Sequence, residues 1–439
     1  MFNGKTERFL ICLASSACMH PIHDASAIQF PSGAHLAIWI VSIASILLVL
    51  TRPKGISEAW WAGAGALSLI LTRLIDLPSA LHAIGKGVDV YLFLIGMMIM
   101  SELARREGVF DWIAVHAVDT AKGSRTRLFF LIYLVGTCVT VFLSNDATAV
   151  VLTPAVLAAV EAAEADALPY LLICAFIANA ASFVLPISNP ANLVVFSRGM
   201  PPLKTWLITF GLPSVASILM TFLVLRWLSR KHLAGPMKTR VEPRPLSSTG
   251  KMALGGIAFL AVVLVTASAF NLDLGAPAFV AGLVVAIAIA LRDHRVIKDI
   301  ASKISWSVVP LVAGLFVIVE ALNSAGALNA AVNALHAQTS ALVAAFGVAL
   351  ISNLMNNLPS GLITGAAVHA AHSSQLIRSA VLIGVDLGPN LSVSGSLATI
   401  LWLIAIRREG QNVKFFTFLK WGALVMPPAL AAAVLCLQA

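Results

Sequence analysis

The chain has 439 residues, 59% of them hydrophobic and only 11% charged, with a mean hydropathy of +0.92; this excludes an ordinary soluble globular domain and reads as a polytopic membrane protein. The net charge of +9 would suit a nucleic-acid partner in a soluble chain, but here it reflects Lys and Arg gathered in cytoplasmic loops, so no nucleic acid is implied. Five cysteines, Cys12, Cys18, Cys138, Cys174 and Cys436, form no CxxC pair and no Cys/His cluster with ligand spacing, which indicates neither a disulfide framework nor a metal site.

Residues 1–31 form an N-terminal extension that reads either as a leader, with "FLICLASSACM" behind Lys5 and Arg8, or as an extra membrane-associated segment. A helix needs about 20 apolar residues to span a bilayer. On that rule a first repeat, 32–230, holds spans near 34–51, 56–75 and 88–104, an interrupted stretch at 127–160, another at 168–198, and a span at 205–229. A basic cytoplasmic linker, 231–251, follows. The second repeat, 252–439, has spans near 252–270, 276–291 and 306–322, interrupted stretches at 340–371 and 376–406, and a last span at 415–437. Polar and Pro/Gly interruptions are tolerated at membrane depth only where the backbone is buried in protein or lines a cavity. They therefore predict two re-entrant hairpins and two broken helices.

The two halves match in order. "SELARREGVFDWIA" (101–114) aligns with "VEALNSAGALNAAV" (319–332), "SNDATAVVLTP" pairs with "MNNLPSGLI", and "LPISNPANLVVF" (185–196) with "LSVSGSLATILW" (391–402). Each half would cross the membrane five times, and an odd number inverts the second copy. The predicted fold class is an all-α polytopic membrane protein with two inverted-topology repeats, about ten spans, two re-entrant hairpins and two broken helices. Charge agrees with that topology: apart from Lys5 and Arg8, every Lys and Arg except Arg73, Lys86, Arg198, Lys204 and Arg378 falls on the cytoplasmic side.

No phosphate loop is complete, since Gly250-Lys251 is followed by Met252. No nucleophile, base and metal constellation appears, so the chain reads as a transporter without cofactor, metal or catalytic residues. An ionisable side chain at membrane depth costs about 2.5–3.5 kcal/mol on insertion scales and marks function by default. Asp146 and Asp386 meet that description and are the predicted proton-coupling groups. Each has a plainer reading, Asp146 as a helix cap and Asp386 as a buried hydrogen-bond partner. Ser144, Asn145 and Thr148 at one hairpin tip would face Asn356 and Asn357 at the other. Ser188, Asn189, Asn192, Asn390, Ser394 and Ser396 lie where the broken spans unwind, and half-helix ends there offer N–H and C=O groups to a small solute. No Arg or Lys occurs in any of these motifs, so a permanently anionic substrate would lack its usual partner. Glu102 and Glu320 read as equivalent span-end residues that orient connections.

The strings "TRPKG", "SNDATAVVLTP", "NAASFVLPISNPANLVVF", "MNNLPSGL" and "GVDLGPNLSVSGSLATILWL" resemble the arsenite efflux permeases, the ArsB-type branch of the ion transporter superfamily. The similarity runs in order from about residue 34 to the C-terminus. It implies efflux of arsenite or antimonite from the cytoplasm across the inner membrane in exchange for protons, sometimes with a separate soluble ATPase, and a scaffold domain beside a transport domain. One departure stands out: "NAAS" (179–182) stands where the best-known members carry an Asp after the Ala, so Asn179 removes one possible carboxylate and places more weight on Asp146 and Asp386. Arsenite near neutral pH is mostly the uncharged trihydroxide, which suits a ring of Ser, Thr, Asn and Asp. Cys138 and Cys174 are expected to be buried packing residues. A sodium/proton antiporter or a small-anion carrier on the same fold is the alternative.

Overall fold

The architecture follows from where apolar runs are capped and where they are broken. A computed structural model describes residues 32–197, 199–235, 237, 245–336 and 340–437; the expectations for residues 1–31, for Arg198 and for much of the linker lie outside them. The first half contains α1 (Ser32–Thr51), α2 (Glu58–Leu71), α3 (Leu77–Lys86), α4 (Val88–Arg106), α5 (Val109–Ala121), α6 (Arg125–Phe142), α7 (Asn145–Ala162), α8 (Ala167–Ala180), α9 (Pro190–Val195) and α10 (Leu203–Ser229). The second half contains α11 (Ser248–Ala269), α12 (Gly275–Ala290), α13 (Val296–Lys303), α14 (Val308–Ser324), α15 (Ala327–His336), α16 (Ala341–Met355), α17 (Asn357–Ala370), α18 (Gln375–Leu387), α19 (Leu397–Arg408) and α20 (Phe415–Cys436). No strand occurs among the described residues. Element for element, the second series repeats the first.

The sequence-predicted spans fall on these helices, with small shifts at their ends. Four short helices, α3, α5, α13 and α15, were not separable from loops in the sequence, because each is only 8–13 residues of mixed polarity between longer apolar runs. Among the described residues seven helical segments are long and apolar enough to cross a membrane, α6, α7 and the joined α13–α14 among them, or eight if α3 and α4, bent by 46°, count together. Of the about ten expected spans, α2, α12 and the two broken helices do not reach that length, since the 14 residues of α2 and the 16 of α12 make only about 21 and 24 Å of helix.

Capping fixes the hairpin and broken-helix boundaries. Ser124 accepts the Arg127 N–H at the start of α6 (3.3 Å), and Ser340 accepts the Val343 N–H at the start of α16 (3.5 Å). Asp166 and Ser374 do the same for α8 and α18. The second halves of both broken spans begin at polar capping residues. Asn189 caps α9 ahead of Pro190, and Ser396 caps α19.

Packing joins the halves crosswise. Helix α4 lies on α12, α14 on α2, and α10 on α20. Glycine permits the first two contacts: a Cβ on Gly96 would stand 2.4 Å from the Ala278 carbonyl carbon, and one on Gly314 would stand 2.8 Å from that of Ala62. Close backbone approach through small residues is how membrane helices gain dispersion energy without a hydrophobic drive. Gly96 and Gly314 are separated by the same interval as Glu102 and Glu320. Helices α1–α4 and α11–α14 thus form one packing group, and α6–α10 with α16–α20 a second. The two groups meet where the polar motifs lie.

Candidate functional site

Both hairpins turn over at a polar tip built the same way. In the first, the Ser144 hydroxyl accepts the Ala147 N–H (3.3 Å) and Asn145 Oδ1 accepts the Asp146 N–H (2.9 Å). In the second, Asn356 Oδ1 accepts the Leu358 N–H at 3.3 Å. Asn356 turns the chain at φ 74° and ψ 154°, a positive-φ extended conformation that non-glycine residues rarely adopt and that costs backbone strain. The arms of each hairpin are tied by a buried hydroxyl pair eight residues apart, Thr140 with Thr148 (2.8 Å) and Ser352 with Ser360 (3.0 Å). Thr148 therefore braces the hairpin.

The breaks in the two discontinuous helices are crosslinked to each other. Asn189 Nδ2 donates to Asp386 Oδ1 at 2.8 Å, and Ser396 Oγ donates to Asn179 Oδ1 at 3.4 Å. These are equivalent bonds, because Asn179 and Asp386 end the first halves of the two broken helices while Asn189 and Ser396 cap the second halves. The caps align one residue away from the string match of 185–196 with 391–402, since hydrogen-bonding position, and not residue likeness, sets equivalence. Asn179 thus occupies the place of Asp386 in the other repeat. One position carries a carboxylate and its counterpart a carboxamide.

Several predicted residues spend their hydrogen-bonding capacity on this frame. Asn192 Nδ2 donates to the carbonyls of Ser182, Leu185 and Pro186, holding the first break open. Ser188 donates to the Val141 carbonyl at 3.0 Å, and Asn390 donates to that of Phe176 and accepts from Asn179, both at 3.0 Å. Ser394 is not brought to the hairpin tips. Its hydroxyl donates to the Asn353 carbonyl (3.3 Å) and it lines a separate cavity. Asn353 itself escaped the sequence reading: it donates to the carbonyls of Ala349 and Gly388 and accepts from Ser392, stapling the second break to α16. Its signal was the density of Asn in "SNLMNN".

Four predicted residues do converge. Asn145, Asp146, Asn189 and Asn357 line a cavity of about 10 Å³ between the two hairpin tips and the broken-helix ends, with no Lys or Arg in its wall. Among the described residues Asn357 Oδ1 and Asp386 Oδ2 are buried without a hydrogen-bond partner, and buried polar atoms left unpaired are costly. Asp146 also faces a second cavity of about 80 Å³, which runs between α4 and α7 to Glu102, Lys303 and Ser305 and includes Ser144. The helix cap is Ser144; the Asp146 carboxylate makes no hydrogen bond among the described residues. Placed in the first turn of α7, it meets the positive end of the helix dipole.

The remaining acidic candidates are ion-paired at span ends, Glu102 with Arg105 (2.5 Å) and Glu320 with Lys86 (3.1 Å). Cys174 is buried in α8, but Cys138 is exposed on α6, which corrects the expectation that both pack in the interior. Gly136, Val139 and Thr140 turn inward on the helix, and the face that carries Cys138 does not. Neither thiol lines the two cavities around Asp146. Replacing Cys138 and Cys174 together with Ala is expected to leave most transport intact, read as substrate uptake by vesicles holding equal amounts of each protein; loss of uptake in a normally inserted variant would place a thiol in the path.

A family profile described as "Citrate transporter" (CitMHS) matches residues 45–386. The arsenical pump membrane protein of Escherichia coli is 26% identical over 89% of this chain and 95% of its own length, and that of Yersinia enterocolitica matches to the same extent. Among solved structures, the YdaH transporter of Alcanivorax borkumensis superposes with a TM-score of 0.55 at 14% identity, covering 92% of this chain and 97% of that one. MtrF of Neisseria gonorrhoeae does so at 0.50, again with 14% identity, covering 93% and 95%. The structures show the fold, and the sequence relatives bear out the likeness to ArsB-type permeases seen in the motifs. Multi-pass in the membrane and matched over most of its length, the chain belongs to the CitMHS citrate transporter family.

Proposed function

We propose that this chain exports trivalent arsenic, as the neutral trihydroxide of arsenite or its antimony analogue, from the cytoplasm in exchange for protons. The observation that carries this reading is the wall of the central cavity: Asn145, Asp146, Asn189 and Asn357 with no cationic side chain. Three hydroxyls of a trihydroxide need both donors and acceptors, and because about 10 Å³ admits little more than one water, the hairpin tips must part to receive it. The carboxamides supply both, and the unpartnered Asn357 Oδ1 is an acceptor waiting for one. The names of the curated relatives support the substrate class.

The second reading is an anion carrier, favoured by the family's description as citrate transporters. A tricarboxylate would normally be met by Arg or Lys, and the central cavity offers none. In our reading the halves are inverted repeats, α1–α4 with α11–α14 are the scaffold, and the hairpin group moves against it. The cavity between α4 and α7 then opens to the cytoplasm, while its counterpart is closed by α14 packed on α17. Asp146 sits where that vestibule meets the central cavity and is the group that exchanges a proton.

Everted vesicles carrying this chain are expected to take up arsenite when a proton gradient is imposed, without ATP and without any soluble ATPase. Collapsing the gradient should stop uptake, and excess citrate should not compete. Gradient-independent uptake, sodium dependence or competition by citrate would reject the reading in favour of one of the alternatives.

A further inference from the structure

We infer that the seam between α1 and the α16–α19 region holds an anionic phospholipid of the cytoplasmic leaflet. A cavity of about 920 Å³ lies there, with Arg52, Arg407 and Arg408 in its wall and no Asp or Glu. Arg52 directly follows the last residue of α1, and Arg407 and Arg408 form the last turn of α19. All three stand where membrane-spanning helices end, at headgroup level. Below them the sides of the cavity are mostly apolar, with Leu47, Leu50, Leu403 and Ile404 contributed by the helices that lead down from those arginines, and Asn353 and Ser394 form a polar floor.

The arginines are poorly satisfied by protein. Arg52 meets Glu58 at 2.9 Å, yet its Nε is buried without a hydrogen-bond partner. Arg407 has only a 3.4 Å bond to Asn412, and among the described residues neither Arg407 nor Arg408 makes an ion pair. Arg407 and Arg408, guanidinium groups without carboxylates, call for phosphate, and Arg52, paired with Glu58, adds the donor it leaves unused. Leucine walls beside them call for acyl chains, because a free anion would leave that apolar surface against water. The polar floor does not compete for a ligand, since Asn353, Ser392 and Ser394 bond to one another. The site is separate from the central cavity, and the inference holds whatever solute the protein carries.

The test uses the purified full chain in neutral detergent, titrated with phosphatidylglycerol and followed by native mass spectrometry and thermal shift. Parallel titrations use phosphatidylcholine, glycerol phosphate and inorganic phosphate. Phosphatidylglycerol alone is expected to bind and stabilise. A basic residue near a membrane surface contributes about 1 kcal/mol toward an anionic lipid, and about 1.4 kcal/mol is tenfold in affinity. Arg407→Gln with Arg408→Gln should therefore weaken binding about 30-fold, and Arg408→Gln alone, at an exposed position, about fivefold. The pair Arg292→Gln and Lys298→Gln removes the same charge away from the cavity and should leave affinity unchanged. Equal stabilisation by phosphatidylcholine, equal stabilisation by the two soluble phosphates, or equal loss in the control pair would each overturn the inference.

Discussion

Replacing Asp146 by Asn is expected to abolish gradient-driven uptake while the protein still inserts, folds and binds substrate. The substitution is close to isosteric, and the caps around it belong to other residues: Ser144 holds the Ala147 N–H and Asn145 holds the Asp146 N–H. The structural cost is limited to the loss of a carboxylate from the first turn of α7, about 0.3–1 kcal/mol for a helix-dipole contact. What disappears is titration at the junction of the vestibule and the central cavity. Uptake into everted vesicles should fall to the level of vesicles lacking the protein, with binding of arsenite to the purified variant retained. Coupled uptake near the wild-type rate would remove Asp146 from the proton path. Asp386→Asn would then be the decisive variant, since its Oδ1 bond to Asn189 survives as an amide oxygen and only its unpartnered Oδ2 changes character.

The second large effect concerns the crosswise packing of the halves. Gly96→Ala places a Cβ 2.4 Å from the Ala278 carbonyl carbon and 2.5 Å from its oxygen. Backbone on both sides cannot yield as a flexible side chain would, so α4 and α12 must separate. Overpacking of this kind costs about 1–3 kcal/mol or more, against a helix-propensity gain of about 1 kcal/mol for Gly to Ala. Gly314→Ala, whose Cβ would stand 2.8 Å from Ala62, should lose less. Gly63→Ala in α2 has nothing within 4 Å and should be neutral or stabilising. Thermal unfolding midpoints of the purified proteins in one detergent give the order: Gly63→Ala highest, Gly314→Ala below wild type, Gly96→Ala lowest. If all three rise together, close backbone contact is not what holds the halves.

Much of this was legible without coordinates, and the reasons are local. Span positions follow from runs of apolar residues, and the hairpins and broken helices from Pro, Gly, Asn and Ser interrupting those runs. Glu102 and Glu320, paired in the sequence by the likeness of the halves, each make an ion pair near a helix end. The short helices α3, α5, α13 and α15 were missed because the span rule looks for about 20 apolar residues, and helices of 8–13 residues fall below it even where one face is apolar.

The site divides differently. The amino-acid sequence by itself determined the membrane class, the order of elements, the family resemblance and the set of polar residues at membrane depth, since each depends on composition or on neighbours a few positions away. Only the tertiary structure decided which of those residues face a cavity. Asn145, Asp146, Asn189 and Asn357 converge, whereas Thr148, Ser188, Asn192, Asn390 and Ser396 are committed to the frame and Ser394 faces elsewhere. The deciding bonds join distant parts of the chain, 197 residues apart for Asn189 with Asp386 and 211 for Asn179 with Asn390. A buried amide takes its orientation from the donors and acceptors packed around it; Asn192 finds them within ten residues, but those of Asn179, Asn189 and Asn390 include groups about 200 residues away, which no local pattern could have assigned.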